Sequence, residues 1–209
     1  MKKLFEESLQ EVLAQSASAA PTPGGGSVSA IAGAFGAAMV AMVGNLTVGK
    51  EKYKDVEPEV KELLAQSNQL MKELEELVQA DIDAFNNYMD VFKMAKNTEE
   101  EKALRAEALQ KAAIAATDVP LRIGEATIKG LQVAQKMAAL GNKVAISDVG
   151  VGAYLGEAAL KGALLSVDIN IPVIKDQAYV EKAVAKRDEL IAEAEALRSK
   201  AVEVVKERI

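Results

Sequence analysis

Pro21-Thr22-Pro23-Gly24-Gly25-Gly26-Ser27 leads into a run of 23 residues, Ser27 to Gly49, without a charged side chain. A run of that length either spans a membrane or forms a buried helix. Gly and Ala dominate it, Asn45 and Thr47 interrupt it, and the Leu/Ile density that drives membrane insertion is missing. The reading is therefore a buried central helix and no membrane span. Ser29, Gly33, Ala37 and Ala41 fall four apart and make a thin ridge on which neighbouring helices pack closely. Upstream, two prolines stiffen the approach, three glycines leave backbone N–H groups uncovered, and Ser27 is placed to cap the helix. Such an N-terminus suits an anion or a small polar ligand, although a tight loop before a buried helix explains the same residues. The GxGxxG spacing and the Gly-Lys-Ser/Thr ending of nucleotide loops are absent.

The composition narrows the chemistry. Half of the 209 residues are hydrophobic but only 4% are aromatic, so Ala, Leu and Val must fill the interior. The length fits one sizeable core and nothing reads as an interdomain linker, which makes residues 1–209 a single expected domain. The net charge of −6 comes from mixed Glu/Lys helical faces, with no basic stripe, so nucleic acid is not an expected partner. Cysteine and histidine are both absent. Disulfides, thiol nucleophiles, Ser-His triads and the usual zinc and di-iron ligand sets fall away together, and no metal site is expected. Acid–base work is left to Asp, Glu, Lys or Tyr. The opening Met1-Lys2-Lys3-Leu4-Phe5-Glu6-Glu7 turns acidic too early for a signal peptide, and a cytoplasmic location is expected.

Helical spacing runs from end to end, with no convincing alternation at period two. The expected fold is all-α, a multi-helix up-and-down bundle around the apolar Gly/Ala-rich helix. A first helix is predicted over about Lys3 to Gln15, with Phe5, Leu9 and Val12 on one face. After the central helix, Lys50 to Glu57 form a charged turn and Pro58 takes the first position of a long helix to about Ala95. Thr98 and Glu101 have capping-box spacing for the next helix, which Asp118-Val119-Pro120 should kink or restart. Gly141-Asn142 suits a left-handed C-cap, Ser147 or Asp148 caps a helix to about Val167, Ile171-Pro172 interrupts, and Asp176 to Arg208 form the last helix.

One acid is out of place. Val60, Ser67, Leu74, Asp81 and Tyr88 lie seven apart along the long helix, beside Leu63/Leu64, Leu70/Met71, Leu77/Val78, Phe85 and Phe92. Asp81 thus occupies a core position, where a carboxylate costs several kcal/mol unless paired or hydrogen-bonded. Asp83 is about 200° further round the helix and should face solvent. A register-fixing buried pair for Asp81 remains the alternative to a functional acid. A second polar cluster comprises Gly141, Asn142, Lys143, Ser147 and Asp148, readable as a C-cap followed by an N-cap. Asn170, between Ile169 and Ile171, either satisfies local backbone or reads the donor and acceptor edge of a heterocycle.

Taken in order, Pro21 to Val28, Asp81 through Ala84-Phe85, Lys96-Asn97-Thr98 with Glu100-Glu101-Lys102, Val119-Pro120-Leu121, Gly141-Asn142 with Ser147-Asp148, and Asn170-Ile171 resemble the cyclodeaminase/cyclohydrolase family. These folate-active enzymes include the C-terminal half of formiminotransferase-cyclodeaminase and free-standing methenyltetrahydrofolate cyclohydrolases. Where members often carry a proline before the lysine matching Lys96, this chain has Ala95. The resemblance implies an all-helical, homodimeric enzyme acting on a tetrahydrofolate C–N bond, either a cyclodeaminase (a lyase) or a cyclohydrolase (a hydrolase). It implies Asp81 as the acid/base, and Gly24, Gly25, Gly26 and Ser27 as donors to the substrate's polar edge. Asn142, Ser147, Asp148 and Asn170 become pterin contacts, and Lys50 and Lys96 hold the glutamate tail. No cofactor is implied beyond the tetrahydrofolate carried as substrate, and a separate formiminotransferase is a possible partner. The competing reading, from a different class, is a non-catalytic helical homodimeric assembly module with the small-residue helix in its core.

Overall fold

The charge-free run forms one helix, and the rest of the chain folds around three of its sides. A computed structural model describes residues 3–209, so Met1 and Lys2 of the opening stretch lie outside the described residues. Its helices are α1 (Leu9–Ser16), α2 (Gly25–Thr47), α3 (Glu57–Phe92), α4 (Glu99–Leu140), α5 (Ile146–Asn170) and α6 (Gln177–Arg208). Short 3-10 turns occupy Leu4–Glu6, Glu51–Tyr53, Lys143–Ala145 and Ile171–Val173, and no strand occurs among the described residues. The all-α expectation holds.

α2 packs against α3, α4 and α5, while α6 closes over α4 and α5. Ser29, Gly33, Ala37 and Ala41 are all buried, as the four-residue ridge requires. The closest approach is between α2 and α5. A Cβ on Gly152 would stand 2.7 Å from the Gly36 carbonyl oxygen, and one on Gly36 would stand 2.9 Å from that of Gly152. The two backbones therefore touch, which only glycine permits. The fully buried large side chains include Leu63, Leu74 and Leu77 of α3, Ile123, Leu131 and Met137 of α4, Ile146, Leu160 and Leu164 of α5, and Leu190 of α6. No aromatic side chain is among the buried core residues, in line with the 4% aromatic content. Glu157 of α5, the one buried charged side chain among the described residues, is held by Arg198 of α6 at 2.6 and 3.2 Å.

Several boundaries differ from the sequence reading. The predicted first helix is divided at Ser8, whose hydroxyl accepts from Glu11 N–H while the Glu11 carboxylate accepts from Ser8 N–H. This capping box, Ser-x-x-Glu, starts α1 afresh. Leu4 is buried instead of the expected face, and Phe5 and Leu9 are exposed. α3 begins at Glu57, so Pro58 sits one place further in, and it ends at Phe92. α4 runs unbroken through Pro120, and its Thr98/Glu101 capping box forms as expected.

Gly141 is extended (φ −66°, ψ 163°), not left-handed. It is required for space, since a Cβ there would lie 2.7 Å from Val43 Cγ1 and 2.9 Å from the Met137 carbonyl. α5 starts at Ile146, which puts Ser147 and Asp148 inside its first turn, and neither caps it. It then runs to Asn170 before the Ile171-Pro172 interruption, and Asp176 caps α6 by accepting from Tyr179 N–H.

Gly152→Ala is expected to keep the helical spectrum but to lower unfolding free energy in urea by about 1–3 kcal/mol, the usual cost of overpacking. An unchanged midpoint would show that α2 and α5 separate easily.

Candidate active site

The acid in the α3 seam meets the glycine turn of α2. Burial along the seam decays from Leu74 (2% exposed) to a half-buried Asp81, Phe85 and Tyr88 and an exposed Phe92. Asp81 therefore lies where α3 leaves the core. Asp83 points outward and accepts from the Gln79 side-chain amide at 2.8 Å, so the two acids differ as the helical period predicts.

Gly24 is the N-cap of α2, with extended backbone and no side-chain cap, so Ser27 is not the cap expected for it. Ser27 sits in the first turn, fully buried, and its hydroxyl donates to Asp81 Oδ2 at 2.6 Å. Gly26 explains the approach. A Cβ on Gly26 would fall onto the Asp81 carboxyl group, 2.7 Å from its carbon, so a side chain there would evict the acid. Gly25 has open space before it. The positive end of α2 thus faces a carboxylate of the protein itself, and an external anion would meet a like charge.

Burial pushes the Asp81 carboxyl above the usual carboxylate range, while the Ser27 hydroxyl and, less strongly, the Ser27 backbone N–H pull it back down. Its folded pKa lies above its unfolded one. This group therefore binds more protons in the native state, and its contribution to stability declines as pH rises from the unfolded value through the folded one.

A cavity of about 240 Å³ opens beside Asp81. Its walls come from Pro21, Thr22 and Gly24–Gly26 before and on α2, Asp81, Ala84, Phe85 and Tyr88 on α3, Ala116 on α4, and Ser166, Ile169 and Asn170 on α5. No cationic side chain lines it. Ligand pockets commonly run to about 300–1,000 Å³, so this one holds one end of an extended molecule. Tyr88, Thr22 and Ser166 are not among the site residues expected from sequence. Helical spacing carried a signal for two of them, since Tyr88 lies seven residues after Asp81 and Ser166 four before Asn170.

The structure thus joins Gly24, Gly25, Gly26, Ser27, Asp81 and Asn170, but not the remaining candidates. Asn142 is tied to the other end of α2: its backbone N–H donates to Thr47 Oγ1 and its side-chain amide to the Leu46 carbonyl, each at 2.8 Å. Thr47 is about 30 Å from Ser27 at 1.5 Å per residue. There Asn142, Ser147 and Lys50 line a separate cavity of about 660 Å³ with Lys52, Tyr53 and Lys143. Asp148, half-buried in the first turn of α5, lines neither cavity. Lys96 is exposed beyond the end of α3 and also lines neither. The His/Cys/Asp/Glu groups needed for a metal cluster do not assemble among the described residues.

Comparison with known proteins gives a consistent set of matches. The family described as "Formiminotransferase-cyclodeaminase" matches residues 8–189. Methenyltetrahydrofolate cyclohydrolase of Methylorubrum extorquens is 41% identical, over 97% of this chain and 98% of that protein. Formimidoyltransferase-cyclodeaminase of Mus musculus is 33% identical over 92% of this chain, and the match spans only 36% of the mouse protein. The crystal structure of formiminotetrahydrofolate cyclodeaminase from Thermotoga maritima superposes with a TM-score of 0.87 at 28% identity, covering 97% of this chain and 98% of that one.

Ser27→Ala leaves burial of Asp81 less opposed. The Asp81 pKa, read from its side-chain carboxyl ¹³C shift against pH, is expected to rise further and to widen the pH range over which stability declines. A pKa that stays put or falls would mean that the hydroxyl does not hold the acid.

Proposed function

This chain belongs to the formiminotransferase-cyclodeaminase family, and we propose that it hydrolyses 5,10-methenyltetrahydrofolate to 10-formyltetrahydrofolate with Asp81 as the acid/base. One observation carries the reading: an Asp81 carboxyl of raised pKa, held by Ser27, in the wall of a cavity lined by no cation. The methenyl carbon lies in a delocalised N5–C–N10 cation. An ionised Asp81 stabilises that charge and takes a proton from the water that attacks the carbon. The neutral tetrahedral adduct then loses its hydroxyl proton through the same carboxyl group, which returns a proton to N5 as the C–N5 bond breaks. One proton is released overall. A raised pKa suits a group that must both accept and return a proton near neutrality. Neither this reaction nor the deamination below changes oxidation state, so no redox cofactor is required.

A second reading follows from the Thermotoga maritima relative, whose name is that of a cyclodeaminase. There N10 of the formimino substrate attacks the formimino carbon and the adduct expels ammonia, leaving the methenyl cation. Asp81 would take the N10 proton and supply one to the departing nitrogen, and a separate formiminotransferase would be the partner that supplies the substrate. At equal coverage of both chains, the 41% identity to the cyclohydrolase against 28% to the cyclodeaminase favours hydrolysis.

The outer faces of α2 and α5 lie side by side and expose Val28, Phe35, Leu46, Val151, Tyr154, Leu165 and Ile169. An apolar face of this extent marks an interaction surface. We propose a homodimer through it, with its two-fold axis crossing α2 near Phe35. α2 then runs antiparallel to its copy and carries the Lys50–Asn142–Ser147 cavity of one subunit toward the Asp81 cavity of the other. That arrangement gives the lysines access to the glutamate tail, which has no cationic partner in the Asp81 cavity.

Asp81→Asn is expected to keep the fold and reduce turnover by about two to four orders of magnitude, the usual worth of a positioned acid/base. Asp83→Asn should change little. The assay follows methenyl absorbance, its accelerated decay marking hydrolysis and its appearance from 5-formiminotetrahydrofolate, with ammonia, marking deamination. No wild-type activity on either substrate would favour a helical assembly module.

Phe35→Glu places a charge in the proposed dimer face and should yield monomers in size-exclusion chromatography with light scattering. A wild-type monomer, or a dimer untouched by this change, would place the subunit contact elsewhere or remove it.

A further inference from the structure

Pro120 lies inside α4 and has no N–H, so the carbonyl of Ala116, four residues earlier, lacks its helical partner. The helix is nevertheless continuous. Asn170, the last residue of α5, sends its side-chain Nδ2 to that carbonyl at 3.0 Å. A carbonyl oxygen demands a donor, so this bond decides which way round the amide sits. Its other atom, Oδ1, makes no hydrogen bond among the described residues, and Asn170 lines the Asp81 cavity. Ala116 lines it too, so the proline-made gap, the amide and the acid share one wall system. The rest of this turn is separately satisfied: Thr117 Oγ1 donates to the Ala113 carbonyl at 2.8 Å, and the Tyr179 hydroxyl donates to Asp118 at 2.6 Å.

We infer that Pro120 is a positioning residue: by withholding an N–H from Ala116 it locks the Asn170 amide with Oδ1 toward the cavity, so that the site reads an N–H edge of its ligand. In the folate reading, on which this rests, that edge belongs to the pterin, whose 2-amino group and ring N–H are donors. A freely rotating amide would offer donor or acceptor alike and would discriminate poorly. The locked one presents an acceptor. Pro120 itself touches no ligand atom in this scheme and acts through Asn170 alone.

The test is a double-mutant cycle of Pro120→Ala and Asn170→Ala, read by thermal unfolding and by calorimetric titration of 5-formyltetrahydrofolate, a reduced folate that carries neither the methenyl bridge nor the formimino group on which the proposed reactions act. Asn170→Ala orphans the Ala116 carbonyl and should lower Tm. Adding Pro120→Ala supplies a main-chain N–H to that carbonyl and should raise Tm by about 2–4 °C more than the same change does in the protein that keeps Asn170, a coupling that the helix preference for Ala over Pro does not produce.

For binding, Pro120→Ala frees the amide and should raise Kd by about threefold to tenfold, the worth of one neutral hydrogen bond. The double variant should bind no more weakly than Asn170→Ala. In turnover the same changes should appear in KM with kcat unaltered, because Asp81 is untouched. Additive losses in Kd, or a Pro120→Ala protein that binds like wild type, would overturn the inference while leaving the folate reading intact. A wild-type protein that binds no reduced folate would overturn the folate reading, and the pterin edge with it. Tm rescue without any change in Kd would show that the amide merely repairs α4, and would overturn its role at the ligand.

Discussion

The contact between the Asp81 carboxyl and the first turn of α2 organises the candidate active site. It needs three residues to be what they are. Asp81 must interrupt an otherwise apolar seam, Gly26 must lack the Cβ that would occupy the carboxyl's position, and Ser27 must donate from within the turn. Each meets a separate physical requirement. Without the glycine the acid has no room, and without the hydroxyl it loses the hydrogen bond that offsets part of its desolvation. The protein's own charge therefore fills the anion-attracting end of α2, and the cavity beside it favours a cation or a proton donor over an anion.

The walls of that cavity come from four helices, and their meeting depends on glycine contacts far from the acid. The Gly36–Gly152 approach brings α2 and α5 to backbone contact, which holds the ends of both helices beside α3. At the end of α5, Asn170 reaches α4 and compensates for the hydrogen bond that Pro120 cannot make. A defect in one helix is satisfied by a side chain of another, so α4 stays continuous and the amide acquires a defined orientation. Packing, helix continuity and the polarity of the site are thus linked through a few short contacts rather than through a large polar network.

The homologous proteins carry two names, cyclohydrolase and cyclodeaminase, and the site geometry suits the chemical step that they share. Both reactions pass through a tetrahedral carbon between two nitrogens and require one group that accepts and returns a proton. In the function proposed above, the Asp81 carboxyl of raised pKa would meet that requirement in a protein without histidine or cysteine. What differs is the nucleophile and the leaving group, neither of which needs a change in the Asp81–Ser27–Gly26 arrangement.

Helical class, the inward position of Asp81, the outward position of Asp83 and the small-residue ridge of α2 were legible in sequence, because 3.6-residue periodicity and glycine sterics are local properties. The division of the first helix at Ser8 was missed although its Ser-x-x-Glu capping box stands in the sequence, because the apolar spacing of Phe5, Leu9 and Val12 runs across it. Tertiary structure alone decided that Ser27 serves Asp81 rather than capping its helix, that Gly141 is needed for space against Val43, and that Asn170 completes the turn broken by Pro120. It also placed Lys50, Asn142 and Ser147 at the far end of α2 from the acid. Periodicity tells which side of a helix faces inward. Which helix ends lie together depends on how far each helix slides along its neighbours, and that is set by the packing of the whole bundle.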